Sequence, residues 1–321
     1  MDVVTVFGGS GFIGRYVIRE LAGSGARIRA AVRRPDGAGF LRTMGDVGQV
    51  TPIAANVRDD ASVAAAVDGA DTVINLVGIL YEAGKQNFGA VQADGARRVA
   101  QAAKTAGASR LIQMSAIGAD PNADSVYAST KGGGEALVRD AFPGATVVRP
   151  SVVFGPEDDF FNKFAMIARL APALPLVGGG HTKFQPVYVG DVADAISALA
   201  RGDGEAGATY ELGGPQVYSF RELMEIVLDA IGRKRCLVPV PFPVAQAGAA
   251  VTDWAYKYPL SVVRNFLPTP LLTQDQVRLL RHDNVVSGGC AGLKDLGIEA
   301  TSVEALVPTY LNRYRKGVWH T

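Results

Sequence analysis

Val3-Val4-Thr5-Val6-Phe7-Gly8-Gly9-Ser10-Gly11-Phe12-Ile13-Gly14 is the stretch on which the fold turns. Its apolar, β-branched start predicts a strand over 3–7, and the amphipathic stretch 12–21 predicts a helix directly after it. Between them Gly8, Gly11 and Gly14 stand three residues apart. Gly8 permits a tight turn off the strand. Gly11 lets backbone approach a pyrophosphate, and Gly14 lets the helix pack against the sheet. The N–H groups at the helix start, with the macrodipole behind them, can then bind an anion. A glycine triplet alone is a weak sign. The strand before it and the helix after it make it a dinucleotide cradle, to which Ser10, Phe12 and Ile13 also belong.

Outward from this cradle, apolar runs recur at 28–32, 50–54, 72–77, 111–114 and 146–148. Ala-rich helical segments such as 61–67 and 91–106 lie between them. Strands alternating with helices imply parallel strands joined by right-handed crossovers. Runs that are apolar throughout suit a sheet covered on both faces. The fold class is therefore α/β. A Rossmann-type, doubly wound parallel sheet is expected over 1–150, and a smaller mixed α/β domain over 151–321. The chain is expected to return to the first domain around 184–212. In the second part 184–189 and 209–212 read as strands and 191–200 as a helix. Ser219 and Glu222 form a capping box for a helix reaching Ile231. Further helices are expected at 274–281 and 303–315.

An NAD site places Asp or Glu at the end of the second strand to grip the ribose 2′-hydroxyl. Here that strand ends Ala31-Val32-Arg33-Arg34. A guanidinium pairs with a 2′-phosphate and stacks on adenine, so NADPH is the expected cofactor, with NADH the alternative. Two solvated surface arginines would read the same way. Asn56-Val57 closes the third strand, where relatives of such a fold contact the adenine edge, and Asn75-Leu76-Val77-Gly78 closes the fourth, beside the expected ribose and nicotinamide.

Tyr127-Ala128-Ser129-Thr130-Lys131 is a Tyr-x-x-x-Lys motif. Residues four apart share a helix face. The ammonium of Lys131 is expected to lower the Tyr127 pKa from about 10, making the phenol an acid or base for carbonyl reduction. Lys131 can also hold the nicotinamide ribose. Ser115 is the candidate third member of the catalytic set. The position where a second hydroxyl is expected holds Ala116, and a one-residue shift turns a strand side chain to the other face. Gly132-Gly133-Gly134 follows the lysine, which predicts either close backbone approach or a broken helix.

A net charge of +1 argues against a nucleic-acid partner. Cys236 and Cys290 form no ligand or disulfide pattern, and His181, His282 and His320 are scattered, so no metal site is expected. No leader peptide and no spanning helix are expected.

Three further segments join the glycine stretch in one resemblance: Ile74-Asn75-Leu76-Val77-Gly78, Ala141-Phe142-Pro143, and Val148-Arg149-Pro150-Ser151-Val152-Val153-Phe154-Gly155-Pro156-Glu157-Asp158-Asp159-Phe160-Phe161-Asn162. Gln185-Pro186-Val187-Tyr188-Val189-Gly190-Asp191-Val192-Ala193 adds to it. Together they resemble the atypical short-chain dehydrogenase/reductase superfamily. Within it they resemble the NADPH-binding accessory subunits of respiratory complex I and their bacterial relatives. The resemblance covers most of 1–230. It implies an NADPH that is structural rather than turned over, with Pro150 and Val153 among its contacts. It implies partners in a membrane-bound quinone-reducing complex, at the cytoplasmic face of a bacterial inner membrane. A soluble cytoplasmic protein, or one on the mitochondrial matrix side, is the alternative. Two other functions stay open: an active NADPH-dependent reductase or epimerase on a quinone-related substrate, and a nucleotide sensor.

Residues 239–272 hold Phe242, Val244, Trp254, Tyr256, Tyr258, Phe266 and Leu267 among prolines and alanines, with few charges. Trp and Tyr favour membrane–water interfaces, so peripheral lipid contact is expected here. An ordinary domain core would show the same composition.

Overall fold

The computed structural model describes residues 2–82, 84, 86–257 and 272–315. Six strands follow one another through the first part: β1 (Val3–Phe7), β2 (Arg27–Val32), β3 (Val50–Ala54), β4 (Thr72–Asn75), β5 (Arg110–Met114) and β6 (Thr146–Pro150). The short β7 (Val153–Phe154), β8 (Ala173–Val177), β9 (Lys183–Phe184) and β10 (Val187–Tyr188) follow, then β11 (Thr209–Leu212). β11 returns to the first sheet. Its seven parallel strands run in the order β11-β6-β5-β4-β1-β2-β3. The expected α/β, doubly wound parallel sheet is what the chain forms.

Strand alternation sets the two covered faces. Val4 and Val6 of β1 point into a core shared with α1 (Phe12–Gly23) and α6 (Val189–Arg201), through Val17, Ile18, Val192 and Ile196. Phe7 points the other way, into a core with α2 (Asp60–Val67), α3 (Asp94–Thr105) and α4 (Val126–Ala141). Thr5 shares that second face, and its hydroxyl donates to the Ala66 carbonyl. Each fully buried Ile, Val or Leu contributes about 1.5–3 kcal/mol by leaving water.

The glycine run in α4 leaves the helix intact. A Cβ on Gly132 would stand 2.4 Å from the Pro121 nitrogen, and one on Gly134 2.5 Å from the Gln92 carbonyl oxygen. A Cβ on Gly133 would meet nothing within 4 Å. Close approach of neighbouring backbone therefore accounts for two of the three.

A third core gathers α5 (Phe160–Leu170), β8, α7 (Phe220–Ala230) and the later helix α10 (Val303–Leu311), around Phe161, Leu174, Leu176, Leu223 and Val307. Phe160 makes ring contacts with Phe161, Phe164, Phe184 and Phe220 there. β12 (Tyr218–Ser219) pairs antiparallel with β9, and β13 (Cys236–Val240) pairs parallel with β8. α8 (Phe242–Lys257) and α9 (Gln274–Leu279) close the set.

Several element readings are corrected. The strand expected over 184–189 is interrupted after Phe184 by Gln185 and Pro186; proline has no N–H to give a ladder. The helix expected over 303–315 holds Pro308 and tightens to a 3-10 turn at Asn312–Tyr314. Helix α8 and strands β8 and β13 were not expected at all. Among the described residues no helix is long and apolar enough to cross a membrane.

Candidate nucleotide site

The strand order reverses beside β1, where β4 lies on one side and β2 on the other. At such a switch point the loops leaving the carboxyl ends of the strands diverge and open a crevice. The glycine turn and the 76–78 segment meet there. Gly8 has φ +80, a left-handed backbone, and a Cβ on it would stand 3.3 Å from the Leu76 carbonyl carbon. Its N–H donates to Ala31 O, and the Gly11 N–H donates to Gly8 O at 2.9 Å. A Cβ on Gly14 would stand 2.3 Å from Gly8 O and 2.7 Å from Gly9 Cα. The loop folding back on the helix, more than the sheet itself, is thus what requires glycine at 14. Gly11 caps α1 without a side-chain hydrogen bond, and the first turn holds no acid. The first amides of α1 therefore meet no internal carboxylate.

Around this turn stand the other expected residues. Ser10 and Ile13 are half-buried, and Phe12 packs edge-on to Tyr16 at 6.0 Å. Arg33 and Arg34 are exposed at the end of β2, where Arg33 donates to Gln86 Oε1 at 2.6 Å. The Asn56 Oδ1 accepts from the Arg58 N–H, and Val57 is buried against Gly95 of α3. The Leu76 N–H donates to Phe7 O, and the Val77 N–H donates to Asn75 Oδ1. Pro150 is buried at the end of β6, and its carbonyl accepts from the Ile117 N–H; Val153 is half-buried in β7.

Tyr127 and Lys131 lie on α4 as their spacing implies. Ser125 caps that helix by accepting from the Ala128 N–H. Lys131 is buried, donates to Met114 O at 3.2 Å, and lies close to Gly78, where a Cβ would stand 3.3 Å from Nζ. Desolvation pushes its ammonium down to about 8, against an opposing pull from Glu135. Tyr127 is half-buried and edge-on to Phe88 at 6.0 Å. Burial pushes its phenol up to about 12. The expected lowering by Lys131 is thus corrected: loss of water around the phenol sets the direction, and the ammonium donates to a main-chain carbonyl. Ser115 directly follows β5. Its N–H donates to Val148 O, while its Oγ is buried without a hydrogen-bond partner. An unpaired buried hydroxyl costs about 1–3 kcal/mol.

Sequence reasoning placed Asn75 beside the ribose but missed the hydrogen bonds that tie these loops together. Asn75 Nδ2 donates to Gln113 Oε1 at 2.9 Å, joining β4 to β5. Asn284 Oδ1 accepts from Ser151 Oγ at 2.7 Å and from the Val152 N–H. Asp275 reaches the start of α4. Partners 38 to 150 residues apart leave no local signal.

Residues 4–213 match the NAD dependent epimerase/dehydratase family. The chain belongs to this family. Its NAD(P)-binding Rossmann fold follows an NADPH-dependent quinone oxidoreductase from Escherichia coli, solved with NADPH, at a TM-score of 0.73. That likeness has 20% identity and covers 96% of this chain and 99% of the other. Among relatives by sequence, the mitochondrial "NADH dehydrogenase [ubiquinone] 1 alpha subcomplex subunit 9" of Arabidopsis thaliana is 39% identical over 320 residues, covering 98% of this chain and 78% of its own. The ceramide reductase of Caulobacter vibrioides is 31% identical over 261 residues, covering 79% of this chain and 78% of its own.

Proposed function

We propose that this protein is an NADPH-binding accessory subunit of a complex I-type NADH:quinone oxidoreductase, in which the nucleotide is structural. One observation carries the reading. The Arabidopsis relative, named as a subunit of NADH dehydrogenase [ubiquinone], aligns with 98% of this chain at 39% identity. The site fits a dinucleotide. A glycine loop folded so tightly on α1 that a Cβ at Gly14 would meet Gly8 and Gly9 backbone, uncapped amides at α1 and the unpaired Ser115 Oγ all support it. Gly8, Ser10, Gly11, Phe12, Ile13 and Gly14 would hold the pyrophosphate, with Arg33 and Arg34 at the 2′-phosphate. Asn56 and Val57 would lie by the adenine, and Leu76, Val77, Gly78, Ser115, Tyr127, Lys131, Pro150 and Val153 by the ribose and nicotinamide.

NADPH, when bound, would supply a hydride donor. The chain's own residues serve proton transfer poorly. A phenol pushed up to about 12 gives up its proton less readily than an ordinary tyrosine, and no hydroxyl stands at Ala116 to share a carbonyl with it. The decisive experiment is purification of the native protein from membranes under mild detergent. Comigration with NADH:quinone oxidoreductase activity and bound NADPH supports the reading; a free species that reduces a substrate overturns it. Tyr127→Phe should leave both fold and NADPH in place.

The second reading is an active NADPH-dependent reductase acting on a lipid-like substrate. The ceramide reductase relative favours it. In that case Tyr127→Phe abolishes turnover.

A further inference from the structure

The first turn of a helix has four amides that its own carbonyls cannot satisfy. In α4 the Ala128 N–H is taken by the Ser125 hydroxyl at 3.3 Å. The next two are taken from far along the chain. Asp275 Oδ1 accepts from the Val126 N–H at 2.7 Å, and Oδ2 accepts from the Tyr127 N–H at 3.0 Å. Oδ2 also accepts from Ser125 Oγ at 2.8 Å. Both carboxylate oxygens are thus committed to the turn that carries Tyr127. A carboxylate there is favoured by the helix dipole as well as by the hydrogen bonds.

Asp275 sits in the first turn of α9, whose own start is tied to α8. Thr273 and Gln276 form a capping box. The Gln274 N–H donates to Asp253 Oδ2 of α8 at 3.1 Å, and Gln246 Nε2 of α8 faces Gln274 Oε1 at 3.4 Å. Ala245 and Ala249 of α8 bury against Val277 of α9. A continuous set of contacts therefore runs from α8 through α9 to Tyr127.

We propose that Asp275 is a positioning residue for the cofactor helix, and that through it α8 and the nucleotide site form one coupled unit. The proposal rests on the nucleotide-binding reading above. Ordering Tyr127 and Lys131 around a ribose tightens the first turn of α4, which tightens the grip on Asp275 and steadies α8. Conversely, α8 held in place pre-orders the site.

The experiment uses the full chain, with NADPH as probe. In wild type, NADPH is expected to slow amide hydrogen exchange in α4, α9 and α8 together. In Asp275→Asn, which keeps the size and loses one acceptor and the charge, protection stays in α1 and is lost from α8. The Kd for NADPH weakens about tenfold by calorimetry. Should Asp275→Asn not fold, Ser125→Ala, which removes one partner of the same carboxylate, gives the same pattern at smaller size. Asp275→Asn with a lowered Tm but unchanged Kd and unchanged α8 protection makes the residue a plain cap and overturns the proposal. Wild type that binds NADPH with α8 unprotected overturns the coupling alone. Wild type that binds no NADPH overturns the nucleotide reading and the coupling with it.

Discussion

Arg33 and Arg34 carry the choice between nucleotides. Both are exposed at the end of β2, and Arg33 donates to Gln86. With no acid there to repel a 2′-phosphate, NADPH should bind more tightly than NADH. Replacing the pair by Asp and Ala should reverse the order. A lost charge-assisted pair is worth about 1.5–3 kcal/mol, or roughly 10- to 150-fold in Kd. Calorimetry with both nucleotides checks it, and equal affinities in wild type would sink the assignment. Lys131 gives a second residue-scale test, in pH. Its folded pKa of about 8 lies below its ordinary 10.5. Between those values the unfolded chain binds more protons than the native one, so nucleotide-free protein should gain stability as pH rises from 8 to 10.5. If the ammonium holds the ribose, nucleotide affinity runs the opposite way. It should be full below pH 8 and fall as pH rises through it. Lys131→Met should flatten both curves, read by thermal melts and by NADPH titration from pH 7 to 9.5.

At the scale of elements, α4 shows what a sequence discloses and what it withholds. Three consecutive glycines signal close approach, yet only the packing says which of them are needed. Gly133→Ala should raise stability by up to about 1 kcal/mol, since its Cβ meets nothing and alanine favours helix. Gly132→Ala and Gly134→Ala should each lower it by about 1–3 kcal/mol, because the new methyl meets backbone that cannot step aside. Urea melts of the three variants decide it; equal destabilisation by all three would mean the helix is limited by something else. The same contrast explains the fold. The strand–glycine–helix start and the strands through β6 were legible because period and turn chemistry are local. β8, β13 and α8 were not. Proline interrupts both strand patterns, at Pro175 and Pro239. α8 is apolar on two sides, so no single stripe marks it. The glycine cradle was likewise legible, while Asp275 and Asn284 act across distances that no motif spans.

For the whole molecule, the second side of α8 matters most. Phe242, Ala245 and Ala249 turn inward, whereas Val244, Val251 and Trp254 stay 61%, 68% and 57% exposed. Ala247 and Gly248 lie exposed between them, so none of these five residues carries a charge. Tyr258 and Phe266, named with Trp254 as interface rings, lie outside the described residues. A contiguous apolar strip facing water is costly to keep unless something covers it. The half-wet ring of a tryptophan suits a lipid headgroup boundary or a membrane subunit. Val251→Ser with Trp254→Ser should therefore shift the protein from the membrane fraction to the supernatant. Withdrawing two side chains worth about 1.5–3 kcal/mol each makes the expected loss of partition well over tenfold. The Asp253–Gln274 and Asp275–α4 contacts still join α8 to the site, so the released protein should keep its capacity to bind NADPH. Sedimentation of cell lysates, with NADPH titration of the supernatant protein, reads both at once. Wild type that is wholly soluble after cell breakage at low salt, or a double variant that still sediments, removes α8 as the membrane-facing element.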